Sequence, residues 1–228
     1  MAGALGDVIR TILWLLGPFV KFAFRLLMIL IALVLPFKWF NPPVTMPIAL
    51  EYQRLGFAYF EWHDLADLPD AVPLALVAGL DPDFCASSGF ALAALGEMGE
   101  GGGASALSQR VVAQLYLWKQ ENTARRVLQI GVAPLLEGLW SKRRIAEMLA
   151  NTTEFGEGVF GVESAARYFY GKSAKTMNMG EASRLAITMR DPLALHPNRL
   201  PQNLRREAAR LAVQAGTLRT TGAAACFL

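Results

Sequence analysis

The chain has 228 residues, which allow one membrane segment and a domain of roughly 185 residues with a buried core. Hydrophobic residues make up 54%, much of the excess within the first forty positions. The net charge of +3 also comes from these forty positions, which contain four basic residues and one acidic residue. Residues 41–228 contain 18 basic and 18 acidic side chains. The pI near 9.0 therefore gives no reason to expect a nucleic acid partner.

Residues 8–37 are almost wholly apolar and predict one transmembrane helix. Thirty helical residues would measure about 45 Å, more than a hydrocarbon core of about 30 Å. Lys21 and Arg25 interrupt this segment, and they either extend toward the membrane surface or meet polar partners, other membrane proteins, inside the bilayer. A cleaved signal peptide is disfavoured, because the apolar part is long and no small-x-small site follows.

The next segment is rich in aromatic side chains that belong either to the core or to a membrane-proximal surface, and the core is the favoured alternative. These residues are Tyr52, Phe57, Tyr59, Phe60 and Trp62. His63 has no cysteine or histidine at ligand spacing, so we expect no metal site. Cys85 and Cys226 are too few for a disulfide framework but allow one bridge in an oxidising compartment.

A helical hairpin with a structured loop is predicted for residues 140–172. Apolar and charged residues alternate at helical spacing from Trp140 to Asn151, three glycines punctuate residues 152–161, and a second helix with small side chains follows. Further on, Gln202 to Gly216 predicts an amphipathic helix, and residues 217–228 a loose tail.

The runs WSKRRI, NTTEFGEGVFGVESAA and RYFYGKSA in this hairpin resemble the fourth motif of glycosyltransferase family 51, the monofunctional biosynthetic peptidoglycan transglycosylases. The resemblance extends over residues 41–197. It implies a mostly α, lysozyme-like helical domain with one N-terminal transmembrane helix, divided as 1–40, 41–216 and a tail at 217–228. It also implies a single-pass protein of the bacterial inner membrane, with its domain in the periplasm.

Residues 72–91 are similar to the first family motif, Glu-Asp-x-x-Phe-x-x-His-x-Gly-x-Asp. Asp81 matches, but Leu80 stands at the leading glutamate, Ser87 at the histidine and Ala91 at the closing aspartate. In the family that glutamate is the general base for the attacking sugar hydroxyl. A leucine side chain cannot accept a proton.

The second and third family motifs are also altered. Residues 103–114 resemble the second motif, with Ala113 at the position of its lysine and Arg110 as a partial replacement for the lost charge. Residues 125–129 correspond to the third motif, Arg-Lys-x-x-Glu, and end in Gln129 instead of the carboxylate. Both carboxylates that the family uses for catalysis are therefore absent. The glycine run at 99–103 is either the family's mobile flap or a disordered linker.

A neighbouring carboxylate is not expected to replace the missing pair. Asp81 is one helical step from Leu80, which turns its side chain by about 100°. Asp83, Glu97 and Glu100 are the nearer candidates. The resemblance implies a substrate groove lined by seven residues. The alternative is that these residues form helix caps and surface ion pairs. The seven residues are Ser108, Gln109, Arg110, Arg125, Arg126, Asn151 and Glu154.

We therefore expect an inactive, membrane-anchored scaffold or accessory subunit that retains affinity for lipid-linked cell-wall precursor or glycan. The alternative is a working transferase that joins lipid-linked disaccharides into glycan strands. No cofactor is expected for the inactive protein, and Mg²⁺ or Mn²⁺ only for the active one.

Overall fold

The structure is a computed structural model that describes the backbone of residues 2–87 and 104–228 and the side chains of residues 17–87 and 104–228. Glu97, Glu100 and the glycine run at 99–103 lie outside the described residues. The chain divides into two compact units, Met1–Phe40 and Asn41–Leu228.

The first unit contains one long helix, α1 (Ala2–Val34), which is followed by a 3-10 helix at Leu35–Lys38. Gly17–Lys38, 22 residues with a mean hydropathy of 2.2, is long and apolar enough to cross a membrane. Lys21 and Arg25 are both exposed. Because they are four positions apart, they lie on the same face of α1.

The second unit is mostly helical. Its α-helices are α2 (Met46–Leu55), α3 (Ala71–Leu80), α4 (Ala106–Tyr116), α5 (Thr123–Leu139), α6 (Lys142–Thr152), α7 (Val162–Tyr170), α8 (Met179–Thr188) and α9 (Gln202–Thr220). Short 3-10 helices occupy Leu65–Asp67 and Ala174–Thr176. The strands are β1 (Tyr59–Phe60), β2 (Glu154–Gly156) and β3 (Val159–Phe160).

Helix α3 lies at the centre of this unit. All residues from Val72 to Ala78 are buried, and the helix packs against α6, α8 and α9. A helix that is apolar all round must be covered on every side, which explains this position. It ends at Leu80, and the backbone of Asp81 is already extended, with ψ 84°.

Polar caps determine where several helices begin, because a side-chain oxygen accepts a hydrogen bond from an otherwise unpaired backbone N–H. Ser105, Asn122 and Ser141 act in this way at the starts of α4, α5 and α6. Asn178 and Glu181 form a reciprocal capping box at the start of α8.

The predicted hairpin at residues 140–172 is confirmed as α6, a loop with two strands, and α7. The three strands form a small sheet in the order β1-β3-β2, in which β1 pairs with β3 in parallel and β2 with β3 antiparallel. Gly161 joins β3 to α7 with φ +81°, and a Cβ atom there would lie 2.7 Å from the carbonyl oxygen of Asn151. Only glycine fits this position without a shift of the backbone.

Two expectations from the sequence differ from the structure. Tyr52, Phe57 and Tyr59 are exposed, so they do not belong to the core. Residues 217–220 continue α9, and the segment after it is packed rather than loose, because Phe227 is buried against Phe84. Cys85 and Cys226 form a disulfide that holds this segment beside the chain that leaves α3.

Candidate functional site

A cleft of about 610 Å³ lies among α2, α4, α5, the β2 and β3 strands and the segment after α8. It brings together many of the residues that the sequence singles out. Leu80, Gln109, Arg110, Arg125, Gln129 and Glu154 all line it.

Leu80 and Gln129, which the resemblance in sequence aligns with the family's catalytic glutamates, both line this cleft. Leu80 is the last residue of α3, and Gln129 lies on α5, where its Nε2 atom is 3.5 Å from the carbonyl oxygen of Gln109. The two side chains therefore share one cleft, and neither can ionise to exchange a proton.

The acidic residues near Leu80 point elsewhere. Asp81 is partly buried beside Ser105 and Lys142, and burial raises the pKa of its carboxyl group. Asp83 is exposed. Neither lines the cleft, so among the described residues no carboxylate next to α3 takes the place of the absent one.

Three other carboxylates do line the cleft, Glu121, Glu154 and Asp191. Glu121 is 78% exposed and pairs with Arg125. One oxygen of Asp191 accepts a hydrogen bond from the backbone N–H of Ala194 at 3.1 Å. Glu154 is the enclosed member, with 12% of its side chain exposed.

Glu154 belongs to a charge cluster with Lys119 and Glu51. The Nζ atom of Lys119 lies 2.7 Å from both carboxylates, and the Glu51 side chain is 5% exposed. Burial raises the pKa of Glu154 despite the ammonium group. Burial also acts to raise the pKa of Glu51, but hydrogen bonds from Arg54 and Lys119 outweigh it and the net shift is downward. No motif marks Lys119, Glu121 and Asp191, which line the cleft, or Glu51, which pairs with Lys119, because segments that are distant in sequence bring these residues together.

Only one of the two adjacent arginines that were expected in the groove lines the cleft. Arg125 lines the cleft, and its Nε atom donates a hydrogen bond to the carbonyl oxygen of Trp118 at 2.8 Å. Arg126 is exposed and does not line the cleft. Adjacent residues on a helix point about 100° apart, so only one of them faces inward.

Arg110 is the positively charged side chain in the cleft whose charge is least balanced by carboxylates. One Nη atom donates a hydrogen bond to the carbonyl oxygen of Met189 at 2.6 Å, while the buried Nε atom has no hydrogen-bond partner. No carboxylate of the described residues forms an ion pair with it, whereas Lys119 pairs with two carboxylates and Arg125 with one. Burial and the nearby charge of Arg125 lower the pKa of Arg110. A buried cation without a counter-ion favours binding of an anion.

Ser108 and Asn151 do not line the cleft and have structural contacts instead. Ser108 is fully buried, and its backbone N–H is capped by the hydroxyl of Ser105 at 3.1 Å. Asn151 is also fully buried, and its amide accepts from the N–H of His63 and donates to the carbonyl oxygen of His63, both at 2.8 Å. Ser108 and Asn151 therefore have structural roles, as in the alternative interpretation of the sequence.

The motif positions do not supply the carboxylate ligand for the divalent ion of the active family pattern. Gln129 offers a neutral amide in place of the carboxylate, and Glu154 is already bound to Lys119.

Outside the cleft, ligand atoms of Glu61, His63 and Glu163 lie within 4.8 Å of one another. There Arg167 contacts both carboxylates, at 3.3 Å and 2.8 Å, and supplies a positive charge.

Comparisons with known proteins identify relatives of this chain. Residues 52–215 match the family described as "Transglycosylase". A protein of Rhodospirillum centenum is 34% identical over 212 residues, which cover 89% of this chain and 91% of the relative. Proteins of a Marinomonas species and of Pseudomonas aeruginosa are each 34% identical, over 80% and 78% of this chain and 83% of each relative. All three are named biosynthetic peptidoglycan transglycosylase. The chain, with its lysozyme-like helical domain, therefore belongs to the transglycosylase family.

Proposed function

We propose that this chain is a membrane-anchored member of the transglycosylase family that binds lipid-linked cell-wall precursor or glycan without polymerising it. The observation that carries the proposal is that Leu80 and Gln129 line one cleft and neither can ionise. General acid–base help contributes about 10² to 10⁴-fold per group. The loss of two such groups leaves a negligible rate, while the shape of the cleft is kept.

Arg110 and Arg125 support retained binding. A diphosphate carries several acceptor oxygens, and guanidinium groups bind such oxygens through paired, charge-assisted hydrogen bonds. Arg110 has an unused donor, and Arg125 lies in the same cleft. The cleft thus offers a place for the diphosphate of the precursor without offering a base for its transfer.

We further propose a place and a role for the protein. The apolar helix would anchor it in the bacterial inner membrane, with the domain in the periplasm. The Cys85–Cys226 disulfide supports this side of the membrane, because disulfides persist in oxidising compartments. Lys21 and Arg25, on one face of α1, would pair with polar groups of other membrane proteins, as expected of a scaffold or accessory subunit.

The second candidate is an active transferase. The names of the relatives fit this candidate better than the inactive one. Glu154 also gives it a chemical basis, since burial raises the pKa of a carboxyl group that lines the cleft. Here a hydroxyl of one precursor would attack the anomeric carbon of another, the bond to the diphosphate would break, and the carboxylate would take the hydroxyl proton.

A polymerisation assay separates the two candidates. The full chain in detergent, with lipid-linked disaccharide precursor and Mg²⁺ or Mn²⁺, should make no glycan polymer. Leu80→Glu combined with Gln129→Glu should gain measurable polymer, whereas Leu80→Gln combined with Gln129→Glu should not, because only the first pair restores both carboxylates. Polymer from the unmodified chain, lost in Glu154→Gln, would establish the active candidate instead.

A binding assay tests the retained groove. Arg110→Met should weaken binding of a fluorescent lipid-linked precursor about tenfold or more, the effect of losing one charge-assisted hydrogen bond. Arg126→Met is the matched control, since that guanidinium lies outside the cleft. Equal affinities for both variants would show that Arg110 does not hold the ligand. No binding by the unmodified chain would leave only the scaffold role.

A further inference from the structure

A histidine and two carboxylates meet outside the cleft, at one edge of the small sheet. Ligand atoms of Glu61, His63 and Glu163 lie within 4.8 Å of one another. Glu61 directly follows β1, and Glu163 lies in the first turn of α7, which follows β3. Because β1 and β3 run parallel, with Phe60 opposite Phe160, the segments that leave the two strands emerge at the same edge. This pairing brings Glu163 to a histidine 100 positions earlier in the sequence.

Two of these three side chains have buried atoms without hydrogen-bond partners. They are the Nδ1 atom of His63 and the Oε1 atom of Glu163. The Glu163 side chain is 0% exposed, so water does not satisfy its free oxygen. A buried polar atom that is left unpaired costs free energy, and a bound ion would remove that cost.

The surroundings hold His63 and Glu163 in place. The backbone N–H and carbonyl groups of His63 are both paired with the Asn151 amide at 2.8 Å. The second oxygen of Glu163, Oε2, accepts hydrogen bonds from the hydroxyl of Ser173 at 3.0 Å and from the backbone N–H of Ala174 at 2.7 Å. Metal sites depend on such supporting hydrogen bonds, because they fix the orientation of the ligands. Oε1 of Glu163 is the oxygen that remains for a ligand.

Arg167 lies beside this group but does not balance its charge. Its Nε atom is 2.8 Å from Oε1 of Glu163 and 3.3 Å from Oε2 of Glu61. One guanidinium group against two carboxylates leaves an excess of negative charge when the imidazole is neutral. The Arg167 side chain is 59% exposed, so it can turn into water and release both carboxylates to another cation.

We propose that Glu61, His63 and Glu163 bind a Zn²⁺ ion. An imidazole nitrogen together with carboxylate oxygens suits Zn²⁺, whereas Mg²⁺ and Ca²⁺ prefer ligand sets made of oxygen alone. In a tetrahedral site with bonds of about 2.0–2.2 Å, the ligand atoms are about 3.4 Å apart. The Glu61 side chain is 48% exposed and closes the remaining distance by changing its rotamer. A water molecule takes the fourth position.

The ion has a structural role that is separate from the cleft. It fastens the segment after β1 to the start of α7, and none of its three ligands lines the cleft. Spacing along the sequence predicts no metal site at His63, because the third ligand comes from a distant segment. The inference goes beyond the proposed function and does not depend on it.

Zinc titration of the full chain, without a histidine tag, tests the site. A fluorescent chelator competes with the protein for Zn²⁺ in detergent, and the competition gives the Kd of the protein. The background is low, since the chain contains one other histidine, His196, and its two cysteines form a disulfide. His196→Gln is therefore the matched control for His63→Gln.

The unmodified chain should bind one Zn²⁺ with a Kd in the micromolar range, and His196→Gln should bind it equally well. His63→Gln and Glu61→Gln should each weaken binding at least about tenfold, since even the groups that support metal ligands contribute that much. Arg167→Gln should tighten binding several-fold, because the guanidinium group no longer competes with the ion. Glu61 and Arg167 are exposed, so these two variants keep the fold. Far-ultraviolet circular dichroism checks the fold of His63→Gln.

Three outcomes would overturn the proposal. The first is no binding of Zn²⁺ by the unmodified chain at millimolar concentrations. The second is equal affinity in the unmodified chain and His63→Gln, which would place the ion elsewhere. The third is unchanged or weaker binding in Arg167→Gln, because the ion would then not lie between the two carboxylates.

Discussion

Gly161 fixes the path of the loop between α6 and α7 at the scale of a single residue. Its φ of +81° belongs to the region that favours glycine, and the backbone of Asn151 fills the space where a Cβ atom would lie. The same asparagine holds His63 through its side chain. One glycine therefore allows the end of α6, β3 and the segment after β1 to meet.

Gly161→Ala is expected to lower the free energy of unfolding by at least about 2 kcal/mol, since it adds a backbone clash to an unfavourable φ. Gly171→Ala is the matched control, with φ +66° but open space around the added carbon, and it should cost about 1 kcal/mol. Denaturant titrations in detergent measure both values. Equal losses would show that the contact with Asn151 does not matter.

The lowered pKa of the Glu51 carboxyl group should make the stability of the fold depend on pH. Its pKa is lowered in the folded state, so the stability that its ionised form contributes is present above the ordinary value of 4.5 and is lost as the pH falls through the folded pKa. The unmodified chain should be more stable than Glu51→Gln at pH 7, and the difference should shrink below pH 4.5. Free energies of unfolding at stepped pH values check this.

Glu157→Gln is the control for this series, because Glu157 also pairs with Arg54 but is 57% exposed. Exposed pairs contribute little, so the control should change stability only slightly at any pH. A difference for Glu51→Gln that grew on acidification would contradict the sign assigned here.

The sequence predicts the position of some functional side chains but not of others. The motif pattern alone singles out Leu80 and Gln129, and the fold brings both to one cleft. The same pattern groups the adjacent arginines 125 and 126, although helix geometry separates them. Lys119 carried no local signal, since its partners Glu51 and Glu154 lie 68 and 35 positions away.

Helix α5 combines three environments at the scale of an element. Leu136 is buried in the core, Gln129 lines the cleft, and Val127 is 63% exposed at the surface. A helix with one apolar face usually turns its polar side to water. In α5, Arg125 and Gln129 face the cleft, whereas Arg126 and several apolar side chains are exposed.

Truncation should reveal this asymmetry. Leu136→Ala is expected to cost about 2–5 kcal/mol of unfolding free energy, because it removes fully buried methyl groups. Val127→Ala should change stability by less than about 0.5 kcal/mol in detergent. Denaturant titrations of both variants provide the comparison. A large loss for Val127→Ala would mean that its side chain has a partner within the domain.

Elements with local signals were predicted best. The α6, loop and α7 unit follows from amphipathic spacing and from glycines that are close in sequence. Helix α9 runs four residues beyond the predicted Gly216, to Thr220, because Leu218 is buried in the tertiary structure and extends the packed face. That burial depends on neighbours that spacing along the helix does not reveal.

The whole domain is tied together by the Cys85–Cys226 disulfide, which spans 141 positions. Around it, Phe84 packs on Phe227, and Arg143 donates to the backbone carbonyls of residues 227 and 228. The sequence alone leaves the bridge as a possibility. It also predicts a loose tail, which the structure does not show. Closure over so long a separation depends on the complete fold.

Replacing both cysteines by serine is expected to lower the free energy of unfolding by about 2–4 kcal/mol, since the bridge restricts the unfolded chain. A thiol reductant should destabilise the unmodified chain by a similar amount and leave the double variant unchanged. Denaturant titrations with and without reductant measure this. A reductant effect on the serine variant would assign the change to something other than the bridge.

The position of this bond also orders events during biosynthesis. Cys226 follows α9, so α9 must leave the ribosome before the bond can close. Until then, the residues after α3 and the segment after α9 are joined only through the intervening backbone. In a pulse-labelling experiment, the oxidised form should therefore appear only after α9 has been synthesised.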